Sequence, residues 1–95
     1  MITILGRVKI QDLPIFIGIF ATRGAAMRQQ HGSLDAQLFT VCDTPDAVVV
    51  MFDWSSREDF EQFRRDPAVM ETMKSSGTMG SPEFTFLEHV ASFPG

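Results

Sequence analysis

Apolar and polar positions alternate at the start of the chain. Ile2, Ile4, Val8 and Ile10 share one phase and Leu5 the other, which predicts a β-strand over Ile2–Ile10. The period then lengthens. Leu13, Phe16, Phe20 and Met27, with Ile17 and Gly24, follow helical spacing, whereas Arg23, Arg28, Gln29 and Gln30 point elsewhere. Asp12 is placed to cap this helix, and Pro14 fits its first turn, where the missing N–H has no intrahelical partner. Gly32 after His31 is a natural left-handed terminator. Two β-branched residues and two glycines weaken the middle of the helix, so packing must hold it.

A second strand is predicted at Asp35–Cys42, with Leu38, Thr40 and Cys42 alternating with Phe39 and Val41. Asp43-Thr44-Pro45-Asp46 reads as a type I turn with Pro45 at its second position, leading into an antiparallel hairpin. The returning strand, Ala47–Trp54, is apolar on both faces. Val48, Val50, Phe52 and Trp54 lie on one side, and Val49 and Met51 on the other. Ser55 with Glu58, or Ser56 with Asp59, then forms a capping box for a helix that buries Phe60 and Phe63. Asp66-Pro67 breaks and restarts it, the new segment turning Val69, Met70 and Met73 inward and ending by Gly77. Gly80-Ser81-Pro82 reads as a loop and Glu83–Phe93 as the last strand, with Phe84, Phe86 and Val90 opposite Leu87, His89, Ala91 and Phe93.

The order is therefore βαββαβ, without linker or repeat, in one domain over residues 1–95. Right-handed connections fold it into an α+β structure: a four-stranded antiparallel sheet with helices on one face. Leu5, Phe39, Val41, Val49, Met51 and Leu87 are then left on the other face. A strand that is apolar on both sides needs cover on both. The expected cover is a second copy of the chain, giving a homodimer with the sheets back to back.

Charge and cysteine content narrow the function. The net charge is −4, with a pI near 4.9 and no clustering of Lys and Arg, so a nucleic-acid surface is not expected. An RNA-binding module built on the same element order is also excluded, because the third strand lacks the basic residue and Gly-aromatic pattern that present rings to bases. Cys42 is the only cysteine, which rules out an intrachain disulfide and any CxxC site. The longest helical apolar run, Ile15–Ala21, is far short of the ~20 residues that cross a bilayer, and Met1–Ile10 reads as a strand and not as a signal peptide. A cytoplasmic protein without membrane contact is expected.

The element order and several local pieces resemble the dimeric α+β barrel superfamily of the antibiotic-biosynthesis monooxygenases, in particular its short bacterial cyclase- and monooxygenase-like members. The matching pieces are the Asp12–Phe16–Phe20 helix start, the Asp43–Val48 hairpin and the Phe52-Asp53-Trp54-Ser55 strand end. The Phe60–Phe63–Pro67–Met73 helix pair and Pro82–Glu88 complete them. The resemblance implies a ferredoxin-like fold, a dimeric barrel and a pocket between sheet and helices walled by Phe16, Phe20, Met27, Trp54, Phe63, Met70 and Met73. Haem-degrading members carry a tryptophan and an iron-binding histidine where Phe63 and Met73 stand here. Neither substitute does that work, since a thioether is a weak ligand and phenyl is none. The histidine that many monooxygenase members place near Phe63 is absent too. The resemblance thus leaves a cofactor-independent monooxygenase or cyclase acting on an aromatic, polyketide-like metabolite, or a non-catalytic dimer of the same fold that binds a small apolar molecule or acts as a regulator.

No catalytic residue stands out. His31, at a helix C-terminus, reads as a surface histidine, and His89 as a structural or interface one, since neighbouring Glu88 points to the opposite strand face. Cys42 reads as a small buried hydrophobe. Arg57, Arg64 and Arg65 with Glu58, Glu61 and Asp66 read as a solvated, ion-paired helix face. Two histidines without matching carboxylates give no metal site, and no cofactor is expected. The chain has no tyrosine, so oxygenation would rely on a carbanion formed by the substrate, with the pocket supplying desolvation and orientation.

Overall fold

The computed structural model describes residues 1–95. Strand β1 (Ile2–Ile10) leads to α1 (Leu13–Ile19), a π-helical turn (Phe20–Gly24) and α2 (Ala25–His31). Strands β2 (Ser33–Val41) and β3 (Thr44–Trp54) follow, then α3 (Arg57–Arg65), α4 (Pro67–Ser75) and β4 (Thr78–Leu87). The four strands form one antiparallel sheet in the order β2-β3-β1-β4, a ferredoxin-like α+β arrangement.

Local chemistry sets most of the boundaries. The Asp12 carboxylate accepts from the Ile15 amide at 2.9 Å, and the Ser56 hydroxyl accepts from the Asp59 amide at 3.1 Å. Of the two capping boxes written into the sequence, the Ser56–Asp59 one is used; Ser55 instead donates to the Asp59 carboxylate. Asp66 accepts from Ala68 at 2.9 Å and Pro67 opens α4, as the sequence predicts. Gly32 closes α2 at φ 116°, where an added Cβ would run into the Ser55 hydroxyl.

The core lies between the sheet and the helices. Ile4, Val8 and Ile10 of β1 and Val48, Val50, Phe52 and Trp54 of β3 are buried in a single phase, covered by Phe16, Phe60 and Val69 from the helices. The opposite phase stays open. Phe39 is 45% exposed and Met51 and Leu87 are each 39% exposed, while Leu5, Val41 and Val49 are half-buried. Leu5 pairs with Met51 and Phe39 with Val49, so the apolar patch crosses three adjacent strands.

Four expectations are corrected. Val41 pairs with Thr44, so the hairpin turn is Cys42-Asp43 rather than a four-residue turn around Pro45. Asp43 takes φ 64°, a region that Asp tolerates better than most residues, and Cys42 is exposed at the turn, not buried. Pro45 sits in β3 beyond its last pairing with β1, at Ala47, so its missing N–H breaks no bond on that side. Gly80-Ser81-Pro82 is a bulge inside β4, lying between the Lys9–Met79 and Arg7–Glu83 pairs. Strand β4 ends at Leu87, and residues 88–95 are irregular and exposed, leaving Val90 and Phe93 in no strand. Alternation alone extended that strand; with no neighbouring strand to pair with, the tail leaves the sheet. No helix is long and apolar enough to cross a membrane.

Asp66 also tests a pH response. Its carboxyl is held below the ordinary carboxylate value of 3.8, first by the side-chain hydrogen bond with His31 at 2.9 Å and then by the Ala68 amide. A depressed folded-state value stabilises the fold above the unfolded value, and that stabilisation disappears as pH falls through the lower folded one. Asp66→Asn keeps a capping oxygen but loses the charge. It is expected to lower the denaturation midpoint at neutral pH, and the gap from wild type is expected to close as titration proceeds below about pH 4.

Candidate functional site

A cavity of ≈ 110 Å³ lies between sheet and helices. Its floor is β1, β3 and β4, through Gly6, Val8, Val50, Phe52 and Phe84. Its roof is Phe16 of α1, Phe20 and Gly24 of the π turn, and Met27 and Arg28 of α2. Phe63 of α3 and Val69, Thr72 and Met73 of α4 close it. The helix weakened by glycines and β-branched residues does not run straight through: it loosens into the π turn over the cavity. Such turns are rare and occur disproportionately at functional sites.

Five of the seven residues expected in the wall, namely Phe16, Phe20, Met27, Phe63 and Met73, line the cavity. Trp54 does not. It is fully buried one layer behind the wall, with its ring 4.9 Å from Phe63 and 5.7 Å from Phe52, and its indole N–H has no partner. Met70 is 52% exposed, because the restart at Pro67 rotates α4 so that Val69, Thr72 and Met73 face inward instead.

His31 is not a free surface histidine. Only 20% of its side chain is exposed; it bonds Asp66 and packs edge-on to Phe63 at 5.7 Å, outside the cavity lining. His89 lies on the exposed tail, bonded to Ser92 at 2.9 Å. Of the expected ion pairs on α3 only Arg64–Glu61 forms, at 3.4 Å, while Arg57 and Arg64 lie over the Phe86 and Phe84 rings at 3.9 and 4.8 Å.

Sequence reasoning placed Arg28 away from the buried face. In the structure it is only 9% exposed, its guanidinium carbon 3.8 Å above the Phe20 ring and its Nη1 donating to the Phe20 carbonyl at 3.1 Å. Gly24 eases this fit, since a Cβ there would stand 3.2 Å from Nη1 and press the guanidinium aside by a few tenths of an ångström. Burial pushes the guanidinium below its ordinary pKa, although an arginine remains charged at working pH. A signal was present in the sequence: Phe20, Gly24 and Arg28 recur every four residues on one helix stripe, with a glycine notch beneath the arginine.

The polar groups at the cavity are largely satisfied within the chain. Thr72 donates to the Ala68 carbonyl at 2.8 Å, and its hydroxyl also lies 3.4 Å from the Met27 sulfur. Ser76 donates to the Met73 carbonyl at 2.6 Å, which leaves the Thr78 hydroxyl to donate to Ser76 across 3.1 Å. No Asp, Glu, His, Lys, Cys or Tyr lines the cavity. Neither an acid–base pair nor a metal-ligand set is present there, and no group of three or more His, Cys, Asp or Glu side chains anywhere could hold a metal ion.

The sequence profile of the antibiotic biosynthesis monooxygenase family matches residues 1–75. The chain belongs to that family. Among solved structures, this family member is similar to SnoaB, a cofactor-independent oxygenase from Streptomyces nogalater, at 18% identity and a TM-score of 0.76 over 99% of this chain and 97% of that one. It is also similar to a protein of Bordetella bronchiseptica assigned to the antibiotic biosynthesis monooxygenases, at 16% identity and a TM-score of 0.76, covering 95% and 97% of the two chains. A Caulobacter crescentus protein with the same assignment aligns at 17% identity and a TM-score of 0.74, covering 95% and 90%. Identities this low show a shared fold and nothing finer. Among curated proteins, none matches this antibiotic biosynthesis monooxygenase family chain.

Proposed function

We propose that residues 1–95 act as one domain of a cytoplasmic homodimer, and that the cavity in each copy takes an aromatic, polyketide-like metabolite for cofactor-independent monooxygenation or cyclisation. The observation that carries this reading is the cavity itself: an apolar, ring-lined chamber in a chain of this family, roofed by a π turn. The oxygenation balances without help from the protein. A ring CH₂ and dioxygen become a carbonyl and water, with all four electrons and both hydrogens coming from the substrate. What the chain contributes is exclusion of water and a fixed approach geometry. The homodimer rests on the apolar outer sheet face, where Leu5, Phe39, Val49 and Met51 meet.

A second reading, a binding dimer without turnover, is favoured by one observation: no proton-transfer group lines the cavity. Oxygen uptake separates the two. Mixed with a graded series of hydroquinones of one to three rings, which present the reacting ring CH₂ in their keto tautomers, the purified protein is expected to accelerate uptake and to place one atom of labelled dioxygen in the product. Saturable binding without uptake would favour the binding dimer, and absence of binding would sink both.

A further inference from the structure

Strand β1 turns Ile4, Gly6, Val8 and Ile10 toward the helices, and of these only Gly6 brings no side chain to that face. Its backbone does not call for glycine. Gly6 is not among the positive-φ positions, and it pairs in register with Val50 on one side and Phe84 on the other. A glycine inside a strand weakens that strand and often marks a place where a ligand comes close. Here the chamber lies over it. The missing side chain leaves the floor of the chamber open. It also lets the Phe84 ring lean across β1, where an added Cβ would stand 3.0 Å from Phe84 Cε1.

The space so opened is small and apolar. At ≈ 110 Å³ it is somewhat smaller than the cavity of about 150 Å³ that holds one benzene ring in another protein. Phe16, Phe20, Phe52, Phe63 and Phe84 supply ring faces and edges. Thr72 and Ser76 commit their hydroxyl hydrogens to backbone carbonyls. Arg7 is exposed, and Arg28 also lines a polar cleft with Gln29, Ser33 and Asp35, so neither charge is enclosed with the rings. An ionised group entering the chamber would shed its water without gaining a partner. A second fused ring would overfill it. We propose that the chamber takes a single, unfused, uncharged aromatic ring, and that Gly6 sets this limit. The inference rests on the cavity being a ligand site, as proposed above, and goes on to name the size and charge of what enters it. One ring of a hydroquinone fits; the fused rings of its longer relatives do not.

The test sets toluene beside naphthalene and benzoate, with binding to the intact protein read by calorimetry at neutral pH. Naphthalene is the larger hydrocarbon and would bind more tightly if room allowed. It is instead expected to bind about tenfold or more weakly than toluene, since an overfilled core is penalised. Benzoate, a single ring carrying a charge, is expected to bind roughly a hundredfold more weakly than toluene. Gly6→Val, which suits a strand, is expected to cut toluene binding about tenfold or more while the protein still unfolds cooperatively. Met27→Ala, which clears part of the roof, is expected to bring naphthalene level with toluene. Naphthalene or benzoate bound by the intact protein as tightly as toluene would overturn the limit while leaving the cavity a ligand site. Toluene binding untouched by Gly6→Val would take Gly6 out of the assignment. Binding of none of the three would remove the ligand site and the assignment together. The intact-protein comparison decides the matter even if a variant fails to fold.

Discussion

Phe60→Ala is expected to cost about 3–5 kcal/mol, a large part of the ~5–15 kcal/mol that holds a domain of this size together. Phe60 is fully buried, and five aromatic rings meet it with centroid separations of 5.0 to 6.1 Å. Two of them, Phe84 and Phe86, come from β4, and two, Phe52 and Trp54, from β3. One side chain therefore ties α3 to two strands that do not pair with each other. Truncating it leaves a void that rigid neighbouring rings fill poorly. Chemical denaturation gives the figure directly, with Phe63→Ala as the comparison. Phe63 is only half-buried, so its loss should cost less. A Phe60→Ala midpoint close to wild type would show that the aromatic cluster is not what joins the two layers.

Met51→Lys is expected to halve the particle mass, from twice the 10.6 kDa chain to a single chain, in light scattering at micromolar concentration. Met51 stands at the centre of the outer sheet patch, opposite Leu5 on one side and Gln37 on the other. Six apolar side chains at ~1.5–3 kcal/mol each supply on the order of 10 kcal/mol gross, set against an association cost of about 4–15 kcal/mol. The margin is thin, so one unpaired ammonium in the interface is enough to reverse it. The cavity lies on the opposite face of the sheet, and probe binding should survive where pairing does not. If the unaltered chain already scatters as 10.6 kDa, the proposed homodimer fails and its outer face is simply exposed.

Much of this fold is readable because its punctuation is local. Asp12, Ser56, Asp66-Pro67 and Gly32 act through their own backbone and its immediate neighbours, so the sequence names them as caps and stops before any packing is known. The burial of Val48, Val50, Phe52 and Trp54 in one phase follows from period-two alternation in the same way. The errors fall where distant contacts decide. The Cys42-Asp43 turn needs a positive φ at an aspartate, a weaker signal than the proline two residues on. The bulge at Gly80–Pro82 exists only because β1 pairs on either side of it. Arg28 is the instructive miss. A charged residue on a helix is ordinarily solvated, and only the π turn and the notch at Gly24 carry this one inside. Phe16, Phe20 and Phe63 were legible as rings of the cavity wall; Phe52, Phe84 and the buried Arg28 were not.

The bulge makes the β4 edge of the sheet hard to extend. Strands β2 and β4 are the two sheet margins, and β4 carries there a proline and three residues out of register. A margin interrupted in this way is a poor template for another strand, which discourages open-ended growth toward fibres. Contact through the broad side of the sheet is different in kind: it is satisfied once two copies meet, and then it stops. The same crooked margin also sets Pro82 against the cavity, so one irregularity shapes both the wall of the chamber and the edge of the sheet.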